Sequence, residues 1–272
     1  STPNEVAINA VARSLRSDGK IVTLSGEGAD ELFGGYESVA RAAGEFEGVW
    51  REGHARGRTE PPVPRQHGGH HQLHANAWAP LDAKPALLRP EVWRAVEQDS
   101  ALLEFYRVEF ETALAHGSAG GGDGRDPLER LQAHLVFQRR INLAGLLQRL
   151  DTAMMLEGVE GRTPFADVLV CGAAESLPVS ERIGVTAHGP EQGVRLETKR
   201  VLRRAFAERL PREVVERPKA SFPLPFQAWM ADSAAVLRES AFARQVFTDA
   251  AIEMVSANPE GLWRFAWPMV NV

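Results

Sequence analysis

A single cysteine, Cys171, among 272 residues leaves no intrachain disulfide framework, and its place in an apolar, helix-like run reads as core. No apolar stretch approaches the roughly eighteen residues that a bilayer span needs, and no charged-then-apolar leader opens the chain. Basic surplus is also missing. With 31 Lys and Arg against 36 Asp and Glu, the formal charge of −5 argues against nucleic acid as the main partner. No internal repeat is visible. Together these absences predict a protein of the cytoplasm, outside the membrane, and its 44% hydrophobic content is enough to bury one large core or two small ones.

What is present begins with Leu24-Ser25-Gly26-Glu27-Gly28-Ala29-Asp30-Glu31-Leu32-Phe33-Gly34-Gly35-Tyr36, four glycines and three carboxylates behind a short apolar run. Glycines let backbone N–H groups approach anionic oxygens, and a carboxylate in the same loop can hold a divalent cation between phosphates. Before it, Thr2-Pro3-Asn4-Glu5 reads as a helix start, with Thr2 as N-cap, Pro3 at the first helical position and Glu5 closing a capping box. Val6, Ile8, Val11 and Leu15 supply the apolar positions, and Ser17-Asp18-Gly19 stops the helix. The β-branched run Ile21-Val22-Thr23-Leu24 predicts a buried parallel strand. No second strand is evident in the pattern. Helix, strand, glycine loop, helix is the order in which a doubly wound sheet presents ligands at its strand ends.

The string resembles the SGEGxDExFGGY segment of the synthetase domain of asparagine synthetases and related ATP-dependent amide-forming enzymes. Two later segments extend the resemblance. Arg149-Leu150-Asp151 through Gly158-Val159-Glu160-Gly161-Arg162-Thr163-Pro164-Phe165-Ala166-Asp167 is similar to the family's RVDRASMAHGVEARVPFLD stretch. Arg217-Pro218-Lys219-Ala220-Ser221-Phe222-Pro223-Leu224-Pro225, followed by Trp229, resembles its lysine-bearing RxKxGFxxP stretch, with Ser221 in place of the usual glycine. The resemblance implies an α/β fold, part of a doubly wound parallel sheet of the ATP pyrophosphatase type, though this chain reads as predominantly helical. It implies adenylation of a carboxylate with release of pyrophosphate, transfer of the acyl group to ammonia or an amine with release of AMP, and ATP and Mg²⁺ as cofactors.

By the same resemblance, Asp30 is a Mg²⁺ ligand, although an Asp after a glycine turn also serves as an ordinary helix N-cap. Ser25, Gly26 and Gly28 place backbone groups near the nucleotide. Lys219 neutralises charge in adenylation, aimed by a loop that two prolines keep non-helical. Glu27 and Glu160 are paired as bases for the nitrogen nucleophile, although Arg162 offers Glu160 a structural ion pair instead. Lactam-closing relatives carry a tyrosine where Glu27 stands, so glutamate there favours an external amine over cyclisation. The family's SGGxDS phosphate loop and its glutaminase domain do not occur in this sequence. The resemblance therefore implies a partner chain carrying that loop, or a longer product. The alternatives are a peptide- or lactam-cyclising relative and a non-catalytic scaffold subunit.

Residues 1–45 are expected to form the strand, loop and helix part of the nucleotide domain. Residues 46–125 form a variable excursion with helices and a Gly-rich linker, and residues 126–272 a helical subdomain with the active-site loop around Lys219. Helices are predicted over Pro80–Glu97, Ser100–Leu114, in one or two pieces over Asp126–Leu156, and over Glu197–Leu210. In the last, Lys199, Arg200, Arg203 and Arg204 read as a solvated face or subunit contact. The cluster His67, His70, His71 and His74 reads as a polar loop, because Gly68 and Gly69 interrupt a helix there and no Cys or carboxylate completes a metal set.

Overall fold

The computed structural model describes residues 4–49, 67–117, 126–189, 193–217, 219 and 224–271. The proposed caps Thr2 and Pro3, most of the Gly-rich linker and the Pro218 and Ala220–Pro223 positions lie outside them. The chain forms two compact units. One comprises 1–4, 69–107 and 222–272, the other 5–68 and 108–221.

The larger unit carries all three family-like segments up to Lys219. Its α1 (Asn4–Ser17) turns Ile8, Ala12 and Leu15 onto Leu150, Met154 and Val159, while Val6 and Val11 face solvent. Side-chain amide Nδ2 of Asn9 ties α1 to the Ala153 carbonyl at 3.0 Å. The β-branched run forms β1 (Val22–Leu24), which leads into α2 (Ala29–Phe33) and α3 (Glu37–Glu47). Asp126 caps α4 (Pro127–Phe137), its carboxylate accepting from the Leu128 N–H at 2.9 Å. A π-helical turn over Gln138–Leu143 joins α4 to α5 (Ala144–Met155), so the predicted region over Asp126–Leu156 is two helices with a wide turn between them.

A second strand, β2 (Glu160–Arg162), pairs in parallel with β1, Val22 opposite Glu160 and Leu24 opposite Arg162. Sequence pattern missed β2 because Glu-Gly-Arg has no β-branched or apolar alternation; its partner positions it. Burial of β1 is also corrected. Ile21, Val22 and Leu24 are 58%, 42% and 74% exposed, since among the described residues only β2 flanks this strand. After α6 (Val168–Ser176), capped by Asp167, come β3 (Gly184–Gly189) and β4 (Gly193–Glu197), an antiparallel pair. Glu197 thus ends a strand and is not the first residue of a helix. The helix α7 begins only at Arg200 and runs to Phe206, followed by α8 (Arg212–Val215).

One core cluster joins Ala40 and Ala43 of α3, Leu131 and Leu135 of α4, Val179, Ile183 and Leu196. Another joins Leu32 and Phe33 of α2 to Ala174. Each fully buried Leu or Phe contributes on the order of 1.5–3 kcal/mol, enough to fix α2 against its neighbours. Arg182, wholly buried, donates to the Leu32 carbonyl at 3.2 Å and satisfies an end of that helix. Burial pushes its guanidinium down to about 10.

The smaller unit is built around Met230, Leu237, Phe247, Ile252, Val255, Ala266 and Met269. Trp263 stacks on Phe226, ring centroids 5.7 Å apart, and meets Trp78 edge to face at 5.5 Å. The predicted Pro80–Glu97 helix is broken here: Leu88 leaves helical geometry to bridge Phe247, between short helices Lys84–Leu87 and Pro90–Ala95. Gly68 and Gly69 do not interrupt the histidine segment, which is helical from Gly68 to Asn76. They are there for packing, since a Cβ at Gly68 would sit 2.3 Å from the Phe110 ring and one at Gly69 2.2 Å from the Tyr106 carbonyl. No described helix is long and apolar enough to cross a membrane.

Candidate active site

The glycine turn continues the β1 ladder by one bond, the Ser25 N–H donating to the Arg162 carbonyl at 2.8 Å. Gly28 takes a left-handed conformation, φ 97°, with the Phe165 backbone 3.2 Å from where a Cβ would lie. Its N–H donates to the Glu31 carboxylate at 3.2 Å, and the Tyr36 hydroxyl donates to the other Glu31 oxygen at 2.5 Å. Glu31 is buried and held by the turn itself. Burial and the Glu31 carboxylate drive the Tyr36 phenol far above its ordinary range.

The turn aims Asp30. Lys199 Nζ lies 2.7 Å from Oδ1, an ion pair off-line for a hydrogen bond, and Lys219 Nζ donates to Oδ2 at 2.6 Å. Burial alone would raise the Asp30 carboxyl, but contact with Lys199 and Lys219 outweighs it and holds the group below the usual carboxylate range. Lys219 also lies over the Tyr36 ring, 5.4 Å from its centroid. Gly35 makes the cluster possible: a Cβ there would stand 1.9 Å from Asp30 Oδ1 and 2.2 Å from Lys199 Cε.

Lys199 joins the Asp30 cluster, although the sequence pattern placed it on a basic helix face. It stands between β4 and α7 in a left-handed conformation, φ 54°, its N–H donating to the Phe33 carbonyl at 3.1 Å. For a residue with a Cβ this costs about 1–2 kcal/mol, strain of the kind that collects at functional sites. Read as helix, Lys199 joined Arg200, Arg203 and Arg204 on one basic face. The strand end at Glu197 takes it off that face and turns it inward.

Glu27 lies in the same turn with its carboxylate 3.3 Å from Arg149 of α5. Burial pushes its carboxyl up, Arg149 pulls it down, and the charges of Glu31 and Asp30 push it further up, leaving it raised overall. Glu160 is not brought to it. On β2 it faces solvent and binds the Arg162 guanidinium at 2.9 Å, which lowers its carboxyl. The structure therefore unites Asp30, Lys219 and Glu27 with Lys199, Arg149 and Tyr36, and leaves Glu160 in the ion pair with Arg162.

Magnesium fits this arrangement poorly. Mg²⁺ demands near-octahedral oxygen ligands at about 2.0–2.1 Å, whereas both Asp30 oxygens already face ammonium groups. Among the described residues, no three His, Cys, Asp or Glu are grouped to hold a metal, the histidines of the helix Gly68–Asn76 included. As it stands, Asp30 is the counter-ion of two lysines.

The asparagine synthase family model matches residues 1–263. The chain belongs to the asparagine synthase family. That family has an α/β nucleotide-binding fold, of which the β1–β2 pair and its flanking helices are the α/β part in this largely helical chain. Relatives from Mycobacterium bovis and two strains of Mycobacterium tuberculosis, each provisionally named a glutamine-hydrolysing asparagine synthetase, are 30% identical over 236 residues. The match covers 84% of this chain and 33% of each relative, so the chain spans about a third of their length.

Proposed function

We propose that this chain contributes the lysine and carboxylate half of an ATP-dependent ligase site. A carboxylate attacks the α-phosphorus of ATP, pyrophosphate leaves, and the acyl-AMP passes its acyl group to ammonia or an amine. The observation that carries this is the pair of ammonium groups at 2.6 and 2.7 Å on the two oxygens of Asp30, inside a glycine turn that resembles the family's. Two aimed cations are what the developing negative charge on a transferring phosphoryl group requires. Asp30 holds them oriented, and an arriving polyphosphate competes for the same two ammonium groups.

Glu27 serves the second half-reaction. Its raised carboxyl suits it to take a proton from the attacking nitrogen as the C–N bond forms and AMP leaves. Glutamate at this place, rather than tyrosine, favours an external amine; a lactam- or peptide-cyclising activity is the alternative.

Among the described residues the parallel sheet has two strands, fewer than nucleotide folds use, and the exposed Ile21, Val22 and Leu24 leave β1 with an apolar edge there. We propose that further parallel strands dock there, from a partner chain or a longer product, and bring an SGGxDS phosphate loop that completes a doubly wound sheet. A scaffold subunit would need the edge but not the lysine pair. The test is acyl-dependent exchange of labelled pyrophosphate into ATP. The 272-residue chain alone should show none, and addition of the missing segment should restore it. Robust turnover by the chain alone would refute the split site, and ADP as product would refute adenylation.

A further inference from the structure

Beside the Asp30 cluster, within the same unit, lies a cavity of about 440 Å³, within the range of about 300–1,000 Å³ typical of small-molecule sites. Leu202 and Phe206 of α7, Leu210, and Val214 and Val215 of α8 make its apolar wall. Lys199, Arg203, Arg217 and Lys219 supply its charge, and among the described residues no Asp or Glu lines it.

The wall is built rather than incidental. Arg203, also lining the cavity, donates through Nε to the Thr198 carbonyl at 2.8 Å and through its terminal nitrogens to the carbonyls of Val215 and Arg217, bracing α7 against α8. Meanwhile Phe206, Leu210 and Val214 stay 38%, 44% and 53% exposed. Clustered apolar exposure around a braced concavity marks a binding surface.

We propose that this cavity receives the apolar body of the carboxylate substrate, with the carboxylate head directed to the Lys199 and Lys219 ammonium groups. The inference rests on the ligase reading above and narrows its substrate to a carboxylic acid with an aliphatic or aromatic body. An α-amino acid such as aspartate brings an ammonium group that needs an anionic partner, and the carboxylate beside this lining, Asp30, is already engaged by Lys199 and Lys219.

The test is calorimetric titration of the 272-residue chain, without ATP, with butanoate, hexanoate and octanoate, and with octylamine and aspartate. Octanoate should bind, and affinity should rise about three- to fourfold per added methylene until the cavity is filled. Octylamine and aspartate should bind at least tenfold more weakly. Leu210→Asp and Val214→Asp, both at already exposed positions, should weaken octanoate at least tenfold while leaving the melting profile unchanged. A flat chain-length series, tighter binding of octylamine or aspartate, or full octanoate affinity in both variants would overturn the proposal. Because binding is read without ATP, the two ideas fail separately. Aspartate-dependent exchange in the completed enzyme with no octanoate binding refutes only the cavity's role, whereas octanoate binding in an enzyme that never exchanges pyrophosphate refutes the ligase reading.

Discussion

Gly35→Ala adds one methyl group where the structure has no room for it. Its Cβ would lie 1.9 Å from Asp30 Oδ1 and 2.2 Å from Lys199 Cε, and the Asp30 and Lys199 side chains are only 14% and 26% exposed, so neither can simply move into water. Overpacking of this kind costs typically about 1–3 kcal/mol, which for a unit of this size lowers the melting temperature by roughly 2–12 °C. The larger effect is on function, because relief requires the carboxylate and the lysine to separate. Losing one aimed electrostatic group costs on the order of 10²- to 10³-fold in rate, so pyrophosphate exchange by the completed enzyme should fall by that order. Gly172→Ala is the control: it lies in α6 with no atom within 4 Å of its would-be Cβ, and should hold or gain up to about 1 kcal/mol with exchange intact. Wild-type exchange and melting in Gly35→Ala would show that the Asp30–Lys199 contact is not the one that matters.

Lys199→Ala should depress exchange as strongly as Lys219→Ala, about 10²- to 10³-fold each, whereas Arg204→Ala on the outer face of α7 should leave it within a few-fold; equal tolerance of Lys199→Ala and Arg204→Ala would return Lys199 to the solvated face. Glu27→Gln should lower amide formation about 10²- to 10⁴-fold while exchange persists and acyl-AMP accumulates, as read by quenched-flow product analysis; a parallel loss of both would place Glu27 with the nucleotide. Acid should destabilise the larger unit through His134 and Glu47, which meet at 2.9 Å in its core. Burial lowers the His134 imidazole below its ordinary 6.5, so the unfolded chain takes up the proton first and stability is lost as pH falls below about 6.5. Glu47, whose burial is outweighed by His134 and Arg130, is also lowered and adds its own loss at more acidic pH. Urea titrations from pH 7.5 to 5.5 should show this decline, and His134→Phe should flatten it; an unchanged slope in that variant would exclude His134 as the source.

Much of the site was legible because its chemistry is local. The turn from Ser25 to Tyr36 carries its own instructions: a left-handed Gly28, a Glu31 that accepts from the Gly28 N–H, and a Gly35 that leaves space for Asp30. Position was less legible wherever long-range packing decided it. β2 is a strand only because β1 lies beside it, and a periodic basic pattern hid the strand end at Glu197 that turns Lys199 inward. Glu160 illustrates the converse. Its neighbour Arg162 was visible in the sequence as a competitor, and in the fold that ion pair is what Glu160 makes. The helix over Gly68–Asn76 was unreadable because both glycines answer to the neighbouring helix Ser100–Gly117 rather than to local backbone need.

The most direct measurement is carboxylate-dependent exchange of labelled pyrophosphate into ATP by the completed enzyme and by its Lys199→Ala, Lys219→Ala double variant. The lysine-clamped Asp30 turn predicts exchange in the wild type, AMP as the nucleotide product, and loss of at least 10²-fold in the variant. Exchange undiminished in the double variant, or ADP and phosphate in place of AMP and pyrophosphate, would contradict it.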